Sequence, residues 1–222
     1  MWTRFNVTFE FLTRLCGGVP ADPEMVKNWL ESRKPKNRPP QSKSIDEVAE
    51  EVMASVPEEM EAGYHAFQRH DGRLVVGMRT IRGHIKDCSQ VLSSLYVGKI
   101  EKEKSFAVKV KNAVYYPPEV YWIPVVRTDG GASIAEPDGV YDKAIHVMTP
   151  QGPRTALKTV EYVKGASVVF PLIVMTTPQG KLVVGEADLK TLFLYGGAHG
   201  YGPERGDGQG RYVATITQAQ EA

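Results

Sequence analysis

The chain has 222 residues, 42% of them hydrophobic and 24% charged, with a formal net charge of +1. This is ordinary globular usage and enough length for one sizeable core or two small ones, of which one compact domain with insertions is the better reading. No apolar run approaches the roughly 20 residues of a membrane-spanning helix, Arg4 and Glu10 interrupt the first apolar stretch where a leader would be unbroken, and two cysteines, Cys16 and Cys88, make neither a disulfide framework nor a zinc site. The expectation is a soluble, cytoplasmic protein in a reducing compartment, with no membrane partner.

In chain order, Phe5 to Leu15 alternates Phe5, Val7, Phe9 and Phe11 against Asn6, Thr8 and Glu10, the period of a half-buried strand. Asp22-Pro23 is an N-cap and first-turn pair opening a short helix with Met25, Val26, Trp29 and Leu30 on one face. Lys34 to Ser44 is a basic, proline-rich loop, and Ser44-Ile-Asp-Glu47 caps an amphipathic acidic helix that ends at Pro57. Asp46 to Glu61 holds seven acidic residues and no basic one, so a local charge of −7 leaves +8 on the rest of the chain. Basic surface of that density suits phosphate, although a solvated face explains most single charge runs.

Leu74 to Val76 is a short strand leading into a helix on which Met78, Ile81, Ile85, Cys88, Leu92 and Leu95 are spaced 3, 4, 3, 4 and 3. Arg79, Arg82 and Lys86 form a second stripe near its start, where an anion would offset the unfavourable placing of cations at a helix N-terminus. Phe106 to Val110, Val120 to Val126 and Ala144 to Met148 are β-prone, and Val168 to Thr177 is a long strand candidate in which Pro171 marks an edge or bulge. Leu189, Leu192 and Phe193 mark a last helix that is expected to stop at Gly196-Gly197. From Tyr195 to Tyr212 there are seven glycines in eighteen residues, and the loop runs into a β-prone end. Such a loop lets backbone N–H groups approach a bulky partner closely. The mixture predicts an α+β fold, an antiparallel sheet covered by helices.

The five histidines, His65, His70, His84, His146 and His199, show no metal-binding spacing, and neither a Walker loop, a nucleophile elbow nor a strand–GxGxxG–helix unit occurs. No metal or cofactor is expected. His199 in the glycine loop is a candidate acid or nucleotide contact, though a lone loop histidine is more often not catalytic.

Gly196-Gly197 and Gly200, followed by Glu204-Arg205-Gly206, Gly208, Gly210, Arg211 and Tyr212, resembles the carboxy-terminal glycine-rich signature of the RAMP superfamily, the repeat-associated proteins of CRISPR effector complexes. Arg79-Thr-Ile-Arg-Gly-His-Ile-Lys86 resembles the Gly-Ser-Ser-Leu-Lys-Gly segment of their backbone subunits, with Thr80-Ile81-Arg82 where the family has its serine pair. Pro153-Arg154, Val163-Lys-Gly165 and the strand around Phe170 resemble a third ordered segment. The resemblance implies a single modified ferredoxin-like (RRM-like) domain over 1–222, with an insertion of basic loop and acidic helix over 34–70 and a candidate second insertion over 112–143.

It also implies an RNA backbone gripped by Arg79, Arg82, His84, Lys86 and Arg154 together with the loop residues Gly200, Gly202, Arg205, Gly208, Gly210 and Arg211. The partners implied are a crRNA-like RNA and other protein subunits, or copies of the chain itself along the RNA. Some family members cut target RNA with an acidic residue after the first strand. Asp22 lies in that region, but its capping role accounts for it. Two alternatives stand beside RNA binding. One is a metal-independent endoribonuclease using His199 or His84. The other is a virus- or mobile-element-encoded structural or defence-interacting protein that docks through its acidic helix.

Overall fold

The computed structural model describes residues 1–20, 63–95, 106–149 and 152–219. The helix expected after Asp22, the basic loop and the acidic helix lie outside the described residues.

β1 (Trp2–Phe11) has the predicted parity: Phe5, Val7, Phe9 and Phe11 are buried, while Trp2, Arg4, Asn6 and Glu10 are exposed. It ends at Phe11 because the chain turns there, with the Leu12 and Thr13 N–H groups both donating to the Arg211 carbonyl. Two short strands follow, β2 (Leu15–Cys16) and β3 (Val19–Pro20), and beyond the undescribed residues come β4 (Tyr64–Ala66), β5 (Gln68–His70) and β6 (Arg73–Gly77). α1 (Met78–Leu95) buries Met78, Ile81, Ile85, Cys88 and Leu92, as their spacing requires.

The stretch from Phe106, expected as a strand, is helix α2 (Phe106–Ala113). Alternation of Phe106, Val108 and Val110 fits a strand, but Val108 is exposed. The buried set is Phe106, Val110 and Ala113, one helical face turned toward α1. β7 (Val114–Tyr115), β8 (Trp122–Pro124) and β9 (Val126–Arg127) are short, whereas β10 (Gly139–Thr149) and β11 (Gly152–Val163) form a long antiparallel ribbon from Gly139↔Tyr162 to Thr149↔Gly152. β12 (Ala166–Met175), α3 (Glu186–His199) and β13 (Tyr212–Gln218) complete the chain.

The main sheet runs β13-β1-β12-β7, every pairing antiparallel. Reading β1, α1, β7, β12, α3, β13 along the chain gives strand, helix, two strands, helix, strand. In space the four strands stand fourth, first, third, second, the ferredoxin-like arrangement. The fold is therefore α+β and modified ferredoxin-like: residues 12–77 intervene between β1 and α1, and residues 116–165 between β7 and β12.

Pro171 sits opposite Asn6. On its other side β12 pairs with β9 only at Ala166 and Ser167 and with β7 only at Ile173 and Val174, so the proline occupies a local edge. A second sheet, β10-β11-β4-β3 with β2 also on β11, and a third, β5-β6-β8, come from the two intervening segments. Among the described residues no helix is long and apolar enough to cross a membrane.

Candidate nucleic-acid interface

α3 does not stop at Gly196-Gly197; it continues through them to His199, and Gly200 (φ 88°) ends it by donating its N–H to the Gly196 carbonyl. The two glycines serve packing. A Cβ on Gly196 would fall 2.3 Å from the Tyr212 hydroxyl and 2.9 Å from His84 Nε2, and one on Gly197 would fall 2.2 Å from the Tyr212 carbonyl oxygen. They let α3 lie against β13, where Tyr212 stacks on Phe9 at 3.9 Å.

The loop from Gly200 to Arg211 is closed on itself and tied down. Tyr201 N–H donates to the Gly210 carbonyl at 2.8 Å and Gly210 N–H to that of Arg14 at 2.9 Å. Arg14 N–H in turn reaches the Gln209 side chain, and Arg211 N–H reaches the Thr13 hydroxyl. Gly210 (φ 71°) admits no side chain, because a Cβ would fall 1.9 Å from the Tyr201 carbonyl oxygen. Tyr201 is buried and its hydroxyl bonds Thr80 Oγ1 on α1.

Glu204, within the loop, is buried. Lys158 donates to its Oε1 at 2.6 Å, and Lys143 pairs with its Oε2 while also holding Asp207 at 2.6 Å. Burial would raise the Glu204 carboxyl, but the lysine hydrogen bonds outweigh it and leave the group below its usual range. Through this cluster the loop is pinned to the β10–β11 ribbon. The Lys143, Lys158 and Glu204 set is long-range, and nothing in local spacing announces it.

His84 is buried, with Nε2 2.9 Å from the Tyr212 hydroxyl and Cys88 Sγ beside the ring. Burial, helped by the charges of His199 and Arg205, pushes it down to about 4, so it is neutral at pH 7. His199 stacks on Tyr195 and faces Asp87 at 3.7 Å, and Asp87 is engaged by Arg205 at 2.9 Å. Asp22 lies outside the described residues. Among the described residues no three His, Cys, Asp or Glu side chains gather to hold a metal ion.

Arg79, Arg82 and Lys86 are all exposed on α1, and α1 has no acidic residue in its first turn. They line a groove between α1 and α2 of about 370 Å³, whose other residues include Gly83, Ser89, Tyr116 and Lys111. No carboxylate lines it, and among the described residues none of the four cations is in an ion pair. Lys111 is the residue that sequence reading missed. It reaches the groove because 106–113 is a helix, and its signal was the helical spacing of Phe106, Val110 and Ala113.

On the other side of α1, under the glycine loop, lies a cavity of about 490 Å³ walled by Val19, Phe67, Val75, Val76 and Pro203, with Gln68, Thr80, His84, Tyr201 and the Asp87–Arg205 ion pair as its polar groups. The structure thus brings Arg79, Arg82 and Lys86 together on one side of α1 and places Gly202, His84 and Arg205 on the other. Gly208 and Gly210 lie farther along the loop, Arg211 is exposed where the loop enters β13, and Arg154 stands on β11 opposite Val147.

No family model and no curated protein matches the chain. Among solved structures it is similar to a chain of the Type III-B Cmr-beta bound to cognate target RNA, solved by cryo-EM, with a TM-score of 0.44 and 11% sequence identity. The match covers 98% of this chain and 61% of the other, so the chain spans about three fifths of that relative's length.

Proposed function

We propose that this protein is a RAMP-type RNA-binding subunit that holds a single-stranded, crRNA-like backbone along the start of α1, beside the glycine loop, within a CRISPR-type or related ribonucleoprotein. The observation that carries this reading is the groove between α1 and α2, where Arg79, Arg82, Lys86 and Lys111 converge with no carboxylate among them. Four cations lining one groove with no carboxylate among them suit a polyanion laid along it, which on binding releases its own counterions. The three ordered sequence segments that resemble the RAMP superfamily support the choice of RNA among polyanions. Arg205 has a secondary part, because its guanidinium is already engaged by Asp87.

The test is fluorescence anisotropy of a labelled single-stranded RNA across a salt series. Each phosphate contact contributes about 0.7 to the slope of log affinity on log salt for a single strand. Replacing Arg79, Arg82 and Lys86 by alanine together is expected to lower the slope by about 2 and weaken binding by an order of magnitude or more at moderate salt. An unchanged slope would remove the groove from RNA binding. Light scattering with and without RNA tests self-association along the strand: growth in mass only with RNA is the expected result.

A further inference from the structure

Gly83 lines both spaces that flank α1, the basic groove on one side and the largely apolar cavity on the other. It sits within α1, one turn after Arg79 and Thr80 and one turn before Asp87. A glycine in a helix interior costs stability relative to alanine, so it is kept where a side chain would collide. Among the described residues nothing lies within 4 Å of where its Cβ would be. In α3 the opposite holds, since Gly196 and Gly197 are both filled against Tyr212. The protein's own packing therefore explains the α3 glycines and leaves Gly83 open to a partner.

The two spaces differ in chemistry as the two parts of a nucleotide differ. The groove offers four cations and no carboxylate. The cavity offers apolar walls such as Phe67, Val75 and Val76, with the Gln68 amide as a hydrogen-bonding group and the Asp87 carboxylate, paired with Arg205, on its lining; the Thr80 hydroxyl there is already engaged by the Gly77 carbonyl and the Tyr201 hydroxyl. Its volume of about 490 Å³ is within the size range of small-ligand sites. We infer that Gly83 is a crossing point at which one nucleotide of a single-stranded RNA leaves its phosphates in the α1–α2 groove and turns its unstacked base over the bare helix backbone into the cavity beneath the glycine loop. Unstacked bases seated against apolar side chains and read along their edges are the usual way proteins engage single strands. This inference rests on the RNA-binding reading above and adds to it a base site on the far face of the helix.

The experiment compares two labelled 12-nucleotide RNAs of equal phosphate number, one an ordinary oligouridine and one carrying abasic riboses throughout, against the wild-type chain, Gly83→Ala and Gly83→Leu. Melting is followed by circular dichroism for each protein. The expected result is a wild-type preference of roughly tenfold for the base-bearing strand, the size of one base-burial increment. Gly83→Ala should melt higher than wild type and lose most of that preference, and Gly83→Leu should abolish it. Equal affinity of wild type for both strands would overturn the base site and leave the phosphate groove standing. Binding to neither strand would overturn both readings. A preference untouched by Gly83→Leu would place the base elsewhere and refute the crossing.

Discussion

Replacing Glu204 by glutamine removes one charge from a buried ion cluster. The carboxylate is 2% exposed and meets Lys158 at 2.6 Å, and its other oxygen pairs with Lys143. Leaving a buried ion without its partner costs about 3–5 kcal/mol. Lys158, whose side chain is 13% exposed, bears that in full, whereas Lys143 keeps Asp207 at 2.6 Å. The net loss should fall near the lower end, about 3 kcal/mol, which for a chain of this size lowers the melting temperature by roughly 6–12 °C.

Urea unfolding with a constant m-value measures the loss, and a cycle with Lys158→Met isolates the pair. Once the unmatched ammonium is gone, most of the deficit should return. Because folding depresses the Glu204 carboxyl below its unfolded value of 4.5, its contribution is complete above that pH and is lost as the pH falls through the lower folded value. A Glu204→Gln variant less than about 0.5 kcal/mol below wild type at pH 7 would refute the reasoning, because it would make the pinning of the loop energetically idle.

Gly196→Ala should destabilise by about 1–3 kcal/mol despite the better helix propensity of alanine, because its Cβ would overlap the Tyr212 hydroxyl; urea titration would read it, and a stabilised variant would show that α3 and β13 are not packed this closely. Gly83→Ala, with open space at its Cβ, should stabilise by about 0.5–1 kcal/mol in the same assay, so two helical glycines of one chain move in opposite directions. His84 carries its proton near pH 6.5 when unfolded and near 4 when folded, so the unfolded state binds more protons between those values and stability drops as the pH falls through that window, by about 3 kcal/mol at its foot. His84→Leu should flatten the part of that slope due to His84, leaving the share of His65, which burial also lowers to about 4. A wild-type stability independent of pH from 6.5 to 4 would contradict the burial of both rings.

Strictly periodic elements were legible in the sequence. The alternation of Phe5, Val7, Phe9 and Phe11 and the 3–4 spacing from Met78 to Leu92 each have one solution, because one face of each must be hidden. Phe106 to Val110 fits both periods over so short a run, and only the presence of α1 beneath it selects the helix. Gly196-Gly197 reads locally as a helix stop. The Tyr212 side chain, brought by the returning strand, makes the glycines a packing device. The cations of α1 were visible as a stripe, whereas the carboxylate-free groove depends on Lys111 from α2, and the restraint of the loop depends on lysines from β10 and β11.

The register of β1 bears on how the molecule reaches its native state. Its two neighbours come from the far end of the chain: Phe9 stands opposite Val168 on one side and Ala214 on the other, and its ring stacks on Tyr212. β1 thus precedes both of its partners by more than 150 residues and must wait for them. Pairings of such separation give slow folding. A chain halted before Tyr212 would leave one rim of β1 without hydrogen bonds and Phe9 without its stacking partner, an exposed template for another chain's strand. Closure of the sheet on this side therefore has to wait for the segment that follows the glycine loop.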